Sequence, residues 1–490
     1  MSWDVRTLPD RYADSVRLMG IARALRQRDG ISRCEIGMGT PANLTALAEM
    51  GADAQATPGD VVIAVEGDGD AAQEAFAEAE RLLSSGDGAG GAAGGAAPAR
   101  PRSLAAATAS LADANVALVS VPGEYAALEA HRALTRGLHV FLFSDHVGIE
   151  DEVALKRRGA ELGLLVMGPG CGTAMLGGVG LGFANEVAAG SVGIVAAAGT
   201  GAQEVACLVA EAGAGVSQII GVGGRDLSEE VGGLAFRQAL AMLGDDDRTE
   251  TVLLVSKPPA PAVVRALGDA LPQGKRAVAA FVGLHDEGGA YEVHDTLEAG
   301  ALAAVGASPA DVSALERAVD EARDRARGRR VLGLYSGGSL AHEAVTILEE
   351  TLGPVAGNVS STGGDEDGSG HTVLDLGEEE YTQGRPHPMV DLELRRGMIE
   401  DAADDESLGC LLLDVVLGHG AHPDPAGELA AAVAKVAERA IVLVRVCGTA
   451  QDPQDAGRQA AALEEAGALV APSNAAAVRL AVRAVLDGDG

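Results

Sequence analysis

Short apolar runs alternate along this chain with longer stretches of helical periodicity. The segments NVALVSV from Asn115, HVFLFS from His139 and GLLVMG from Gly163 have the length and apolar content of buried strands. Earlier in the chain, VRLMGIARALRQ from Val16 has the spacing of a helix and DVVIAVEG from Asp60 has the composition of a strand. Strands that alternate with helices form parallel sheets. The pattern therefore predicts an α/β fold whose sheets, including the strand at Asp60, are parallel.

The alternation divides the chain into three blocks, each of the size of one open α/β domain. We expect domains at 1–188, 189–328 and 329–490, each a Rossmann- or flavodoxin-like parallel sheet, in tandem. Residues 84–102 are rich in Gly, Ala and Pro and predict a flexible insertion in the first domain. The charged stretch 313–330 predicts a solvated helix that connects the last two domains.

Two apolar strands, at residues 192–198 and 331–335, lead directly into helices whose first residues are small. These residues are Gly199, Thr200 and Gly201 at the first helix, and Ser336, Gly337, Gly338 and Ser339 at the second. Glycine allows close approach of a ligand, the first-turn N–H groups are unpaired, and the helix dipole adds about half a positive charge. The turns therefore predict two sites for phosphate or carboxylate groups, although such a turn can also be only a close-packed strand–helix junction.

Charge and composition disfavour several classes of function. The chain has 37 basic and 71 acidic residues and no basic block, which disfavours nucleic-acid binding. No uncharged apolar stretch reaches the roughly 18 residues of a membrane span, and the N-terminus does not resemble an export signal. The 5 cysteines are widely spaced, which argues against disulfides and a zinc site. These features predict a cytoplasmic protein and give no reason to expect a bound metal.

The segment GRPHPMVD, residues 384–391, holds a third candidate site. A proline on each side of His387 fixes the backbone, so its imidazole could act as a rigidly held general acid or base. Arg385 could bind a carboxylate or phosphate through two parallel hydrogen bonds, and Asp391 follows four residues after His387. We take Arg385, His387 and Asp391 as candidate catalytic residues. The alternative is a structured loop whose histidine bonds a backbone carbonyl.

Other polar positions are weaker candidates. His419 and His422, in LGHGAHPD, could form a metal site with neighbouring aspartates, but their loose spacing favours a polar loop at a strand end. Arg225, in GVGGRD, could clamp a phosphate, and the alternative is a glycine-rich strand end. Cys171 has no basic neighbour and is expected to be a packed thiol rather than a nucleophile.

Several motifs resemble those of the nucleotide-forming acyl-CoA synthetases, of which succinyl-CoA synthetase is the familiar member. They are MGPGCGTAMLGG at Met167 and the segment GSVGIVAAAGTGAQEV from Gly190. GVGGRDLSEEVGG at Gly221, VSKPPA at Val255 and YTQGRPHPMVD at Tyr381 resemble motifs of the FdrA family, and this likeness extends over nearly the whole chain. It implies a CoA-binding-like Rossmann domain in the first block and CoA-ligase-like domains in the other two. This is the arrangement of the alpha subunit plus the C-terminal part of the beta subunit in succinyl-CoA synthetase.

The resemblance also implies that the helix starts at Thr200 and Ser339 face one another, as do the paired helices that hold a phosphorylated histidine in the synthetases. The region from Phe281 lacks the GHAGA-like motif that carries this histidine, although it contains His285 and His294. FdrA-like proteins are associated with purine and allantoin nitrogen breakdown and with oxamate carbamoyl transfer. The likeness thus implies a carbamoyl or acyl transferase subunit, with CoA, carbamoyl phosphate or phosphate as its ligands.

Two alternatives remain open. One is an ADP-forming acyl-CoA ligase that needs a partner to supply a nucleotide-grasping domain, which is not evident in this chain. The other is a non-catalytic scaffold subunit that binds CoA or phosphate. On each interpretation we expect protein partner subunits and a small phosphorylated or CoA-linked metabolite, and neither nucleic acid nor a membrane.

Overall fold

The computed structural model describes residues 3–11, 13, 15–26, 28, 30–85, 101, 103–285, 289, 291–323, 328–359, 370–382 and 385–486. The chain forms two compact units, an N-terminal unit of residues 1–100 with 379–386 and a C-terminal unit of 101–378 with 387–490. The predicted insertion at 84–102 lies outside the described residues except at 84, 85 and 101. Within the described part, no helix has the length and apolar content to cross a bilayer.

The N-terminal unit is built on an antiparallel sheet. Its elements are β1 (Trp3–Leu8), α1 (Ser15–Arg26), β2 (Ile31–Met38), α2 (Pro41–Glu49), β3 (Val61–Gly67) and α3 (Gly69–Ser85). β3 lies between β1 and β2 and runs antiparallel to both. The prediction that the strand at Asp60 joins a parallel sheet is therefore wrong. The crossover through α1 does make β1 and β2 point the same way, but β3 inserts between them in the opposite direction, which alternation alone does not reveal.

The C-terminal unit begins with a small parallel sheet. Its elements are α4 (Leu104–Ser110), β4 (Val116–Val119), α5 (Gly123–Thr135), β5 (His139–Leu142), α6 (Ile149–Leu162) and β6 (Val166–Met167). The strands pair in chain order. One face buries apolar side chains of α5 and α6, such as Ala130 and Leu155. The other face adds Phe141 and Met167 to the core of the next sheet.

A seven-stranded sheet follows in the chain. Its elements are β7 (Thr173–Leu176), β8 (Val179–Gly182), β9 (Ala189–Ala197), α7 (Gly199–Glu211), β10 (Val216–Gly221), α8 (Leu234–Asp245), β11 (Thr251–Ser256), α9 (Pro261–Leu267), a 3₁₀ turn (Gly268–Ala270), β12 (Arg276–Phe281), β13 (Glu292–His294), α10 (Leu297–Val305) and α11 (Ser313–Arg323). The strand order is β13-β12-β11-β9-β10-β7-β8. The first five strands of that order are parallel, and β7 and β8 form an antiparallel edge. This middle sheet therefore begins before residue 189.

The last sheet has five parallel strands. Its elements are β14 (Arg330–Tyr335), α12 (Gly338–Leu352), β15 (Thr372–Asp375), α14 (Glu393–Ala402), β16 (Leu408–Val416), α15 (Pro425–Ala437), β17 (Ile441–Cys447), α16 (Ala456–Glu465), β18 (Leu469–Ala471) and α17 (Asn474–Val485), while α13 (Glu379–Thr382) belongs to the N-terminal unit. The order is β15-β14-β16-β17-β18. The predicted α/β class with several parallel sheets is confirmed, whereas the three domain boundaries remain predictions.

One continuous apolar core joins the middle and last sheets, because α7 and α10 pack against α12 and α17 between them. Polar groups inside this core link the same elements. Arg445 of β17 donates to Glu204 of α7 at 2.9 Å, and Glu204 accepts the backbone N–H of Asn474 at 3.1 Å. Asn474 donates in turn to Glu343 of α12 at 2.7 Å. Apolar contact and this network together fix the position of α7 relative to α12.

Replacing Arg445 by leucine should destabilise the C-terminal unit by about 3–5 kcal/mol, because Glu204 would keep a buried charge without its partner. Arg445 is 3% exposed and Glu204 is fully buried. The measurement is urea unfolding followed by circular dichroism. As a control, Arg439→Leu removes an exposed arginine whose guanidinium makes a 3.4 Å bond to the Ala403 carbonyl. We expect it to change the free energy of unfolding by no more than about 0.5 kcal/mol. Equal effects of the two substitutions would contradict the role given to the buried pair.

Candidate functional site

β9 and β14 of the C-terminal unit each lie at the point where the chain changes the side of the sheet to which it adds strands. In the middle sheet the chain passes from β9 to β10 on one side and then to β11 on the other. In the last sheet it passes from β14 to β15 on one side and then to β16 on the other. A crevice opens beyond the carboxyl ends of strands at such a switch point, and α/β proteins bind ligands there. The two predicted helix starts follow β9 and β14, so both lie at switch points.

The two helix starts converge. A side chain at Gly337 would come within 2.8 Å of both Cβ and Oγ1 of Thr200. A side chain at Gly201 would come within 3.2 Å of Cβ of Ser339. Glycine at these two positions lets the helices approach more closely than any other residue would allow. The structure thus brings together the two turns that the sequence singled out.

Neither helix start is capped by the side chain of its own N-cap residue, because these residues are Ala198 and Gly337. Elsewhere in the unit, Thr296 and Ser473 cap α10 and α17 by accepting a first-turn N–H. The uncapped N–H groups and the two helix dipoles create a positive potential where α7 and α12 meet. Gly199, the first residue of α7, is exposed, whereas Gly337 and Ser339 are buried.

The carboxyl end of β15 places Asp375 beside the start of α12. Its side chain is 3% exposed. Oδ1 accepts a hydrogen bond from the N–H of Gly377 at 2.9 Å, and a side chain at Gly338 would collide with Oδ2. Asn358 fixes the Asp375 backbone through two hydrogen bonds of 2.8 and 2.9 Å. Burial raises the pKa of the Asp375 carboxyl to about 7.

His387, a predicted catalytic residue, lies in the same cluster. A side chain at Gly377 would come within 2.8 Å of His387 Nε2. Nδ1 accepts the N–H of Met389 at 3.2 Å, which leaves the proton of the neutral ring on Nε2. Burial lowers the pKa of His387 to about 4, against the opposing effect of the carboxylates of Asp414 and Asp145. The ring is therefore neutral near pH 7 and directs an Nε2–H donor toward Gly377.

Lys257 and His342 belong to the site but were not among the predicted residues. Lys257 follows β11, and its Nζ lies 3.7 Å from the carboxylate of Glu378. His342 Nδ1 lies 2.8 Å from the carbonyl oxygen of Gly338 in the first turn of α12. Burial and the charge of Lys257 lower the pKa of His342. Lys257 directly follows the apolar run TVLLVS, residues 251–256, which has the composition of a strand. That position was a signal that could have found it.

A buried ion pair holds the turn that precedes α12. The N–H and the hydroxyl of Ser336 donate to Asp414 Oδ1 at 2.8 and 3.0 Å. Arg395 donates to the same oxygen at 2.8 Å and to the carbonyl of Leu334 at 2.6 Å. Asp414 is fully buried, and its Oδ2 has no hydrogen-bond partner among the described residues. The ion pair therefore fixes the turn from which α12 begins.

The other two predicted catalytic residues, Arg385 and Asp391, have different surroundings. Arg385 is exposed and belongs to the N-terminal unit, where its backbone N–H donates to the carbonyl of Thr382 at 3.1 Å. Asp391 accepts the N–H of Glu393 at 2.9 Å and so holds the beginning of α14. A catalytic role for Arg385 and Asp391 remains a prediction.

The two histidines of LGHGAHPD have different partners in the described part of the chain. His419 Nε2 lies 2.7 Å from the carboxylate of Glu186. His422 is buried, and its Nδ1 accepts the N–H of Asp424 at 3.1 Å. The nearby Asp414 is bound to Arg395, as described above. The described contacts therefore fit the alternative of a polar loop at a strand end.

A different group has the composition of a metal site. The donor atoms of His285, Asp295 and Glu350 all lie within 4.8 Å of one another. His285 Nδ1 is 3.4 Å from the Asp295 carboxylate, and the His285 side chain is 71% exposed. A cavity of about 260 Å³ adjoins Asp295 and Glu350. These residues offer ligand atoms of the kind that a divalent ion binds.

Arg225 and Cys171 have structural roles in the described contacts. Arg225 forms an ion pair with Glu152 at 2.8 Å and donates to the carbonyl of Val147 at 2.8 Å. Cys171 is 3% exposed, and burial raises the pKa of its thiol to about 12. The expectation that Cys171 is a packed thiol is confirmed.

Two parts of the chain match models of known protein families. Residues 334–484 match the family model described as CoA-ligase, and residues 1–99 match the model described as AllF, heavy metal-associated domain. The alpha subunit of the ADP-forming succinate–CoA ligase of Methanothermobacter thermautotrophicus is 30% identical over 173 residues, 35% of this chain and 57% of that subunit. Alpha subunit 2 of the Archaeoglobus fulgidus enzyme is 29% identical over 225 residues, 42% of this chain and 76% of that subunit. These matches define a protein of the CoA-ligase superfamily whose homologues include ligase subunits.

A relative that extends over almost the whole chain is YahF of Escherichia coli (strain K12), described as uncharacterized. It is 37% identical over 503 aligned residues, which cover 97% of each chain. The chain belongs to the same family as YahF. Among solved structures, the apo dinucleotide forming acetyl-coenzyme A synthetase 1 of Ca. Korarchaeum cryptofilum aligns over 76% of this chain and 82% of its own, with 15% identity and a TM-score of 0.29. The matches to the CoA-ligase family model and to the succinate–CoA ligase alpha subunits support the predicted relationship to the CoA-ligase superfamily. Membership of the FdrA family remains a prediction.

Replacing Gly337 by alanine should force the two helix starts apart, because the new methyl group would lie 2.8 Å from Thr200. We expect inorganic phosphate to bind the variant at least about tenfold more weakly, since the donors of the two helices would no longer converge. The measurement is phosphate-induced thermal stabilisation over a range of concentrations. As a control, Gly397→Ala adds a methyl group in α14, where no atom lies within 4 Å. Unchanged phosphate affinity in the Gly337 variant would contradict the assignment of the site.

Proposed function

We propose that this chain is the catalytic subunit of an acyl or carbamoyl transferase that binds a phosphoryl group between the starts of α7 and α12. The observation that supports this most directly is the close approach of Gly337 to Thr200, which joins two uncapped helix starts. Lys257 follows β11 and so adds a cation at the carboxyl edge of the middle sheet, whose strand β9 leads into α7. Backbone N–H groups and an ammonium group are the donors that phosphoryl oxygens prefer. The match to the CoA-ligase family model supports an acyl substrate of this kind.

The proposed reaction transfers an acyl or carbamoyl group from a mixed phosphate anhydride. A nucleophile attacks the carbonyl carbon, the bond from that carbon to the phosphate oxygen breaks, and the electron pair leaves with inorganic phosphate. The nucleophile is the thiol of CoA or the amide nitrogen of a small acid such as oxamate, and its proton is released. The positive potential at the helix starts stabilises the charge that develops on the departing phosphate. The Nε2–H of His387 supplies a further neutral donor beside it.

An ADP-forming acyl-CoA ligase is the second candidate, and the position of His342 favours it. This histidine lies one turn into α12, with Nδ1 bonded to the carbonyl oxygen of Gly338. A phosphorylated histidine would need two converging helix starts of this kind. The ligase would also require a partner subunit that carries the nucleotide. On both candidates the protein works with partner subunits, and we propose that it does so in the cytoplasm.

Replacing Lys257 by alanine should lower kcat/KM for phosphate release by about 10- to 100-fold, because a charged donor to the phosphoryl group is lost. The assay supplies carbamoyl phosphate or acetyl phosphate as donor, and oxamate or CoA as acceptor. Lys257→Arg should recover part of the activity, since it keeps the charge. Lys435→Ala, which removes a lysine that is 58% exposed, serves as the matched control. Full activity of the Lys257→Ala variant would overturn the proposed role.

Incubation of the protein and its partner subunits with γ-labelled ATP separates the two candidates. The transferase proposal expects no acid-labile phosphohistidine, since its phosphoryl group arrives on the substrate. If the chain is a ligase, we expect label on a histidine at the helix starts. That label would disappear in His342→Asn or His387→Asn. Stable incorporation of that kind would replace the first candidate by the second.

A further inference from the structure

Asp375 occupies an unusual place for an acidic residue, at a point where the structure favours anions. It ends β15, its side chain is 3% exposed, and its Oδ2 lies so close to Gly338 that a side chain there would collide with it. Oδ1 accepts a hydrogen bond from the backbone N–H of Gly377 at 2.9 Å. Asp375 therefore lies directly beside the first turn of α12, in the region that would receive a phosphoryl group.

Charged and titratable groups surround Asp375 on several elements. Lys257, after β11, favours the ionised carboxyl, whereas Glu378 and the buried Asp414 of β16 oppose it. His387 and His342 also face this region, and burial lowers the pKa of both rings, so they are neutral above pH 7. Asp414 Oδ2 is a second buried carboxylate oxygen beside the turn without a hydrogen-bond partner in the described residues. A ligand anion would thus meet two buried carboxyl groups as well as the helix starts.

An ionised Asp375 and a bound dianion next to it would repel each other in a poorly hydrated place. A protonated Asp375 would instead be a hydrogen-bond donor to the anion. We propose that the site between α7 and α12 binds phosphoryl dianions together with one proton, which is carried by Asp375. This inference rests on the proposed function, because it assumes that the helix starts bind the anion. The class of ligand is a tetrahedral dianion, either free or as the phosphoryl group of a substrate.

The sign of the resulting pH dependence follows from the pKa of Asp375. Burial raises this pKa to about 7 in the empty site, and a bound dianion raises it further. Below pH 7 the proton is already present, and affinity does not change through this group. Above pH 7 the proton must be taken up from solvent, so affinity falls by up to about tenfold per pH unit. This fall ends where the pH exceeds the pKa of Asp375 in the bound state.

Sulfate is the appropriate probe, because it remains a dianion throughout this pH range whereas phosphate itself titrates. The first experiment is calorimetric titration of the full chain with sulfate at pH 8, at constant ionic strength, in buffers that differ in ionisation enthalpy. The buffer dependence of the observed enthalpy measures proton uptake. We expect between about 0.5 and 1 proton per sulfate. Sulfate binding without proton uptake would overturn this inference and leave the proposed anion site intact. Absence of sulfate binding at any pH would overturn both.

The second experiment assigns the proton. In Asp375→Asn the uptake should vanish, and the sulfate affinity should change by less than about twofold between pH 7 and pH 9. Glu380→Gln is the control, since it removes an exposed carboxyl in α13, and it should keep the uptake of the wild type. Uptake that persists in Asp375→Asn would overturn the assignment to this residue. If that variant does not fold, the buffer experiment on the wild-type chain still decides whether a proton accompanies the anion.

Discussion

Two glycines that allow two helix starts to meet are the constraint on which the rest of this structure depends. Gly337 faces Thr200 and Gly201 faces Ser339, and an added side chain would be 2.8 and 3.2 Å from its neighbour. The shared core and the polar chain from Arg445 through Glu204, Asn474 and Glu343 then hold the helices at that separation. A small change in how the middle and last sheets pack would separate the donors without unfolding either sheet.

The net charge of the chain and the electrostatic potential proposed for the site have opposite signs. The formal net charge is −34, yet we propose that the candidate site binds an anion. Among the described residues, the groups that favour an anion there are backbone N–H groups, which do not contribute to a count of charged residues, and the side chain of Lys257. Buried carboxyl groups of Asp375 and Asp414 adjoin the same point. Their burial, rather than their number, determines whether they oppose or assist a bound anion.

Much of the C-terminal unit could be predicted because its strands and helices are encoded locally. The apolar runs before Gly199 and Ser336 marked both the strands and the turns, and the Pro-flanked His387 was also found in advance. The convergence of the turns was only implied by family likeness, since it depends on packing between sheets. Asp375 and Lys257 were missed because each is an ordinary polar residue after a strand, and its meaning depends on neighbours far away in sequence. In the N-terminal unit, alternation of strands and helices correctly located β3 but could not specify its direction.

The site is assembled from the carboxyl ends of strands in more than one sheet, and no single sheet contains it. Asp145 follows β5, Lys257 follows β11, and Ser336 follows β14. In two archaeal relatives the matched region lies within an alpha subunit. Because one chain carries the strand ends named above, docking of the sheets is an intramolecular event here, with an effective concentration on the order of millimolar. The covalent connection therefore makes formation of the site independent of protein concentration, so that dilution, which disperses subunits, would leave these groups together.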